Sequence, residues 1–242
     1  LRVKAEFPSN LWPNAMQAYH RWIRDAVHRN LPYDEFVRAL LTSSGSNFRD
    51  PASNFYRPFR ERTPRNVFNN VALLFMGMRL EKTGLSEEEL LGMDAFFAKT
   101  AYKPTSEWKE EIVFFDPTKE FLHPESKELV VPKALGADPV NLAAFDDPRV
   151  AFSDWLTAKE NPWFSRAICN RVWYWLLGRG IIHEVDDIRP DNLPWSDELL
   201  VHLQQELTDH DYDLKHLFRI ILNSDTYQRS SIATPENRKD ME

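Results

Sequence analysis

The chain has 242 residues, 43% of them hydrophobic and 13% aromatic, which is enough to bury a substantial core and too apolar for a disordered polymer. Thirty Lys and Arg against 37 Asp and Glu give a net charge of −7, which excludes the general basic face that nucleic acid or an anionic membrane surface requires. The single cysteine, Cys169, excludes an internal disulfide, a cysteine-based zinc site and a Cys-x-x-Cys-His haem attachment within these residues, and no apolar run approaches the roughly 20 residues of a membrane span.

The first helical period runs from about Ala15 to Arg29, with Met16, Tyr19, Ile23 and Val27 on one face and Asn14 as N-cap. Pro32 opens a second helix through Tyr33, Phe36, Val37, Leu40 and Leu41, which stops in the polar turn Thr42–Asn47. Phe48 to Arg62 reads as a loop. Thr63-Pro64 caps and opens a third helix with Val67, Val71, Leu74, Phe75 and Met78 along its stripe. Ser86 and Glu89 form a capping box for a fourth, flanked by the staple Leu85 and Leu90 and continuing through Phe96 and Phe97.

The period then changes. Ile112–Phe115 and Glu128–Val131 are strand-like runs on either side of a proline-containing turn, predicting a β-hairpin. Leu135 to Asp147 reads as a linker. Helical periods return from Pro148, then after Asn161-Pro162 up to Gly178, after Ser196, and from Leu214 to Leu222. The predicted fold is mainly α: a multi-helix bundle of about eight helices with one small β-hairpin insert, divided as 1–105, 106–147 and 148–242. Leu1-Arg2-Val3-Lys4 lacks a signal-peptide pattern and Ala233 to Glu242 is polar without a helix stop. Both ends are expected to be cuts, and the missing N- and C-terminal parts of the same protein are expected partners.

The densest polar cluster is His183 to Asn192, in a stretch between two apolar helices. His183, Glu184, Asp186, Asp187 and Arg189 are candidate acid–base or catalytic residues, and Arg171, Arg179, Asp191 and Asn192 candidate ligand-binding residues. The run is not the zinc-protease His-Glu-x-x-His, because Asp187 stands where the second His belongs. The competing reading is a buried polar turn. A guanidinium on the packed face of the helix between Asn161-Pro162 and Gly178 needs a carboxylate, so at least one of Arg171 and Arg179 is expected to bond Asp186 or Asp187 and pin the loop.

Three further features read as structural. Asp209–Asp213 imitates an EF-hand start but fails at its sixth and twelfth positions, so Asp213 is an N-cap. Ser43–Arg49 lacks both a nucleophile elbow and a P-loop lysine. Trp155, Trp163, Trp173 and Trp175, with Tyr174, are expected mainly in the core, and Cys169 beside them as a small buried hydrophobe. No metal ligand set and no cofactor is assigned.

Several blocks together resemble a known domain. They are Val150-Ala151-Phe152-Ser153-Asp154-Trp155-Leu156-Thr157, Asn161-Pro162-Trp163-Phe164, Asn170-Arg171-Val172-Trp173, Gly178-Arg179-Gly180, Asp186-Asp187-Ile188-Arg189, Asp213-Leu214-Lys215-His216-Leu217 and Ser224-Asp225-Thr226-Tyr227-Gln228. In this order they are similar to the planctomycete-specific PSD domain of unknown function. Tyr19-His20-Arg21-Trp22, Asn30–Val37 and Thr42–Tyr56 resemble the end of its usual partner, the cytochrome-c-like PSCyt domain. The resemblance implies a PSCyt-like helical end over 1–105 and a PSD-like part from 148. It also implies export to the periplasm or cell surface, and association with sulfatases and polysaccharide degradation. Many relatives carry Cys-x-x-Cys-His where this chain has Met78-Arg79-Leu80-Glu81-Lys82, so no haem carries over.

Three functions stay open at this point. The first is an accessory or structural helical module of an exported cell-envelope protein linked to complex, sulfated polysaccharides. The second is a hydrolytic or lyase-type enzyme acting on glycans through the 183–192 loop. The third is an electron-transfer partner, which the absent cysteines weaken. Whether the polar loop lines an open pocket or is closed by its own ion pairs separates the first two.

Overall fold

A computed structural model describes residues 13–59 and 61–229; the end segments Leu1–Lys4 and Ala233–Glu242 lie outside them. The chain is mainly helical. Helix α1 spans Pro13–His28 and buries Ala15, Tyr19 and Ala26, at helical spacing. Helix α2, Tyr33–Leu41, starts behind Pro32 and buries Tyr33, Val37, Leu40 and Leu41. In α3, Pro64–Val71, the Thr63 hydroxyl accepts the Asn66 N–H at 3.2 Å. In α4, Glu87–Ala95, Ser86 accepts the Glu89 N–H at 3.2 Å while Glu89 accepts the Ser86 N–H at 2.8 Å, so the capping box forms as the sequence predicts. Beyond the linker come α5 (Pro148–Thr157), α6 (Phe164–Leu177), α7 (Asp197–Asp209), α8 (Leu214–Leu222) and the short α9 (Asp225–Gln228). Among the described residues, no helix is long and apolar enough to cross a membrane.

The β region differs from the expected hairpin. Three antiparallel strands, β1 (Gly45–Ser46), β2 (Thr100–Pro104) and β3 (Glu111–Phe115), form a sheet in the order β1-β3-β2. Strand β3 is where the sequence put it, but its partners lie upstream: Val113 faces Tyr102 on one side and Gly45 on the other. The run Glu128–Val131 forms only an isolated bridge, Leu129 to Leu122. Val113 is fully buried, whereas Leu129 is 62% and Val131 41% exposed, and a β-prone run without a buried face is not held in a sheet.

Two further expectations are corrected. The predicted loop 48–62 contains a 3₁₀ helix, Pro51–Tyr56, which buries Phe55 and Tyr56. Phe55 meets Tyr56 and Phe59 edge to face at 5.2 and 5.4 Å, so this loop is part of the core. Helix α4 ends at Ala95, and Phe96 and Phe97 pack from the following turn. The tryptophans divide: Trp173 is buried and Trp155 and Trp163 are half-buried, whereas Trp175 and Tyr174 are exposed on the outer face of α6. Cys169 is fully buried, and burial pushes its thiol far up, which makes it inert as a nucleophile.

One hydrophobic core runs from Tyr19 to Ile221. Side chains on both sides of residue 148 build it. Tyr33 stacks on Phe164 at 5.0 Å, Phe152 meets Phe97 at 4.9 Å and Phe96 at 5.5 Å, and the Tyr33 N–H donates to the Tyr212 carbonyl at 3.1 Å. A buried cation marks the seam. Arg149, 1% exposed, bonds Asp147 through Nε and Nη2, the Ser43 carbonyl through Nη1 at 2.9 Å and the Ser44 hydroxyl through Nη2 at 2.9 Å, with its guanidinium 5.5 Å from the Tyr56 ring centroid. The polar turn after α2 is therefore an anchor for the start of α5.

Asp94, buried near the end of α4, accepts from Arg65 Nε at 2.6 Å while its other oxygen has no hydrogen-bond partner. Burial outweighs the Arg65 pair and pushes this carboxyl from 3.8 up to about 6. The folded chain then holds a proton over a pH range in which the unfolded chain has released it. Asp94 therefore makes stability fall as pH rises from about 4 to about 6. Asp94→Asn is expected to remove that slope. Thermal unfolding in stepped buffers checks it, and an identical slope in the variant contradicts the assignment.

Candidate functional site

The stretch Gly180 to Pro194 follows α6 and is held first by a buried amide. Asn170, fully buried on α6, donates through Nδ2 to the carbonyls of Ile182 and Val185, both at 3.1 Å, and accepts the Ile182 N–H at 2.8 Å. This leaves Ile181, Ile182 and Ile188 facing the core and the charged residues between them at its edge.

Those charges meet the end of α3. There the helix widens into a π turn over Ala72–Met76 and stops at Gly77, whose φ is +64°. A side chain at Gly77 would place Cβ 2.8 Å from Ile188 Cδ1, and the Gly77 carbonyl accepts the Ile188 N–H at 2.8 Å. A helix end leaves carbonyls unsatisfied, and Arg171 takes two of them: Leu74 at 2.6 Å and Leu73 at 3.1 Å. The same guanidinium bonds Asp186 Oδ1 at 2.5 Å through Nη2 and 3.2 Å through Nε. The pairing expected from sequence is present through Arg171; Arg179 is exposed, with no ion pair among the described residues.

Asp187 is 3% exposed. Lys82 Nζ lies 3.0 Å from one oxygen and Arg189 Nε 3.2 Å from the other, while Asn192 donates to its carbonyl at 2.8 Å. Burial pushes the Asp187 carboxyl up, but the Lys82 hydrogen bond and the two cations outweigh it and hold the group below the usual range. Arg189 also bonds Asp191 at 2.6 Å. His183 and Glu184 are exposed on the outer side of the loop. The structure thus brings Arg171, Asp186, Asp187, Arg189, Asp191 and Asn192 into one network with Lys82, and leaves Arg179, His183 and Glu184 outside it.

Two surface clefts lie elsewhere. One, of about 520 Å³, is lined by Arg57, Arg62, Trp108 and Glu111 around the β2–β3 turn; the other, of about 450 Å³, lies along α1 at Met16, Gln17, His20 and Arg21. Neither is lined by a residue of the 183–192 loop.

A cluster the sequence reading passed over sits at the α7–α8 turn, where Glu206, His210 and His216 converge. The available signal was a Glu and a His four apart at a helix end, with a second His in the first turn of the next helix. The Asp-rich run between them reads as capping, and Asp213 does cap α8, accepting the His216 N–H at 2.9 Å. Attention to the cap hides the ring it positions.

Residues 148–242 match PSD1, a family described as a protein of unknown function (DUF1553). No curated protein and no solved structure matches the chain. The polar loop belongs to this PSD1-like part, whereas Leu73, Leu74, Gly77 and Lys82 precede it. The loop is therefore the place where the PSD1-like part is fastened to the helices before it.

Proposed function

We propose that the chain is a non-catalytic, accessory helical module of an exported cell-envelope protein. Its first 105 residues are the end of a PSCyt-like domain followed by a PSD-like part, and the module serves the use of complex, sulfated polysaccharides. One observation carries the accessory reading: the charges of the 183–192 loop that are buried or half-buried, Asp186, Asp187 and Arg189, all point at partners within the chain. A catalytic loop needs such groups facing a substrate-sized space. Export and the polysaccharide link rest on the family resemblance alone.

A thermal-shift screen of the chain against sulfated and neutral polysaccharides, with reducing ends and unsaturated products assayed in parallel, tests this. The expected result is a raised Tm with a sulfated polymer and no product. Product formation that disappears in His183→Ala overturns the accessory reading in favour of a glycan-cleaving enzyme. No shift with any polymer removes the polysaccharide link.

A further inference from the structure

The geometry points to a zinc-type divalent cation site built by Glu206, His210 and His216 at the turn between α7 and α8. One ligand atom from each of the three side chains lies within 4.8 Å of the others. Ligands at about 2.0–2.2 Å from a tetrahedral ion sit roughly 3.3 Å apart, so the set closes when the half-exposed His210 ring turns out of its stack on His216 and brings Nε2 onto the ion. His216 Nε2 is 2.8 Å and His210 Nδ1 3.7 Å from Glu206 Oε2, and the two imidazole rings stack at 3.7 Å with an interplanar angle of 18°.

Hydrogen bonds already orient the rings. His210 Nδ1 is 2.8 Å from the Glu206 carbonyl oxygen. A carbonyl only accepts, so the proton is on Nδ1 and the lone pair on Nε2. Histidine ligands of metals are set in this way, with the second ring nitrogen donating to a backbone carbonyl or a carboxylate. His216 Nε2 meets Glu206 Oε2 at 2.8 Å, and the neutral ring frees this nitrogen for a cation by carrying its one proton on Nδ1. The ring nitrogens and one carboxylate suit zinc and its neighbours better than calcium or magnesium, which prefer all-oxygen shells. The His210 side chain is 49% exposed, and this open side leaves water the fourth position.

The turn that closes the site is strained. Asp211 and Tyr212 are consecutive non-glycine residues with φ of +50° and +56°, a left-handed conformation that residues with a side chain rarely adopt. Buried Tyr212 holds it, donating its N–H to Leu207 at 2.8 Å and its hydroxyl to Thr157 at 3.1 Å. A relaxed connection would not return His216 to the face of α7 that carries Glu206 and His210.

Calorimetric titration of the untagged, chelator-stripped chain with Zn²⁺ at neutral pH tests the site. One ion per chain is expected, with a Tm that rises with Zn²⁺ and does not rise with Mg²⁺. Affinity is expected to drop at least about tenfold in His210→Gln and in His216→Gln, and to stay unchanged in His20→Gln. Nitrogen NMR of the unsubstituted chain gives a readout independent of any variant's folding: the ring nitrogens of His210 and His216 shift together on Zn²⁺ addition. No saturable binding, full binding in both cluster variants, or shifts confined to other histidines overturns the proposal.

Discussion

Replacing Arg149 by alanine is expected to lower the stability of the chain by about 3–5 kcal/mol. The Arg149 side chain is 1% exposed, and Asp147, its ion-pair partner, 19%. Burial opposes the charge, but Tyr56 and Asp147 more than offset it and hold the guanidinium above its ordinary pKa. Truncation strands the Asp147 carboxylate, the Ser43 carbonyl and the Ser44 hydroxyl at once. Ser44 is exposed and recovers water, but Asp147 and the Ser43 carbonyl are half-buried, and a carboxylate left there without its cation costs more than its bond contributed. Lysine is not a remedy, because a single ammonium cannot fork between Asp147 and the α2 turn. Urea unfolding followed by tryptophan fluorescence measures the loss. A loss no larger than that of an exposed ion pair, about 1 kcal/mol at most, contradicts the seam described above.

Arg171→Ala is expected to cost about 2–3 kcal/mol and to loosen the polar loop selectively. The change frees the carbonyls of Leu73 and Leu74 at the widened end of α3 and leaves Asp186 without its cation. Asp186 is 29% exposed and partly recovers water, so the penalty stays below that for Arg149. Asn170 still holds Ile182, so the N-terminal limb of the loop remains in place. The Ile188 N–H, bonded to Gly77, loses its support. Hydrogen exchange is therefore expected to rise at Ile188 more than at Ile182. Equal rates at both amides, before and after the change, contradict the role given to Arg171.

Much of this architecture was legible in the residues because local physics dictated it. Thr63-Pro64 and the Ser86–Glu89 box specify helix starts by side-chain hydrogen bonds that need no tertiary partner. The inward need of Arg171 for a carboxylate was also local, since the helix placed it on a packed face. What was not legible depends on distant partners. The partners of Val113 were set by which neighbouring run had a face to bury: Ala101 of β2 is buried, whereas the 128–131 run lies open. Phe55, Tyr56 and Phe59 stand at helical spacing, but Pro51 and Pro58 break the run into a loop by local rules, and their burial comes from one another and from Phe75. The Glu206, His210 and His216 group depends on the backbone path through Asp211 and Tyr212; the left-handed φ suits Asp211, but no propensity rule assigns it to the bulky Tyr212.

The hydrogen bond from Tyr33 to Tyr212 has a consequence for synthesis. The second helix can close its contacts with Phe164 and Tyr212 only after most of the chain has left the ribosome. At roughly 5–20 residues per second, the apolar faces of Tyr33, Val37, Leu40 and Leu41 wait on the order of ten seconds or more for their cover. A nascent chain in that interval exposes apolar surface, and its folding rate is limited by closing long loops rather than by forming helices.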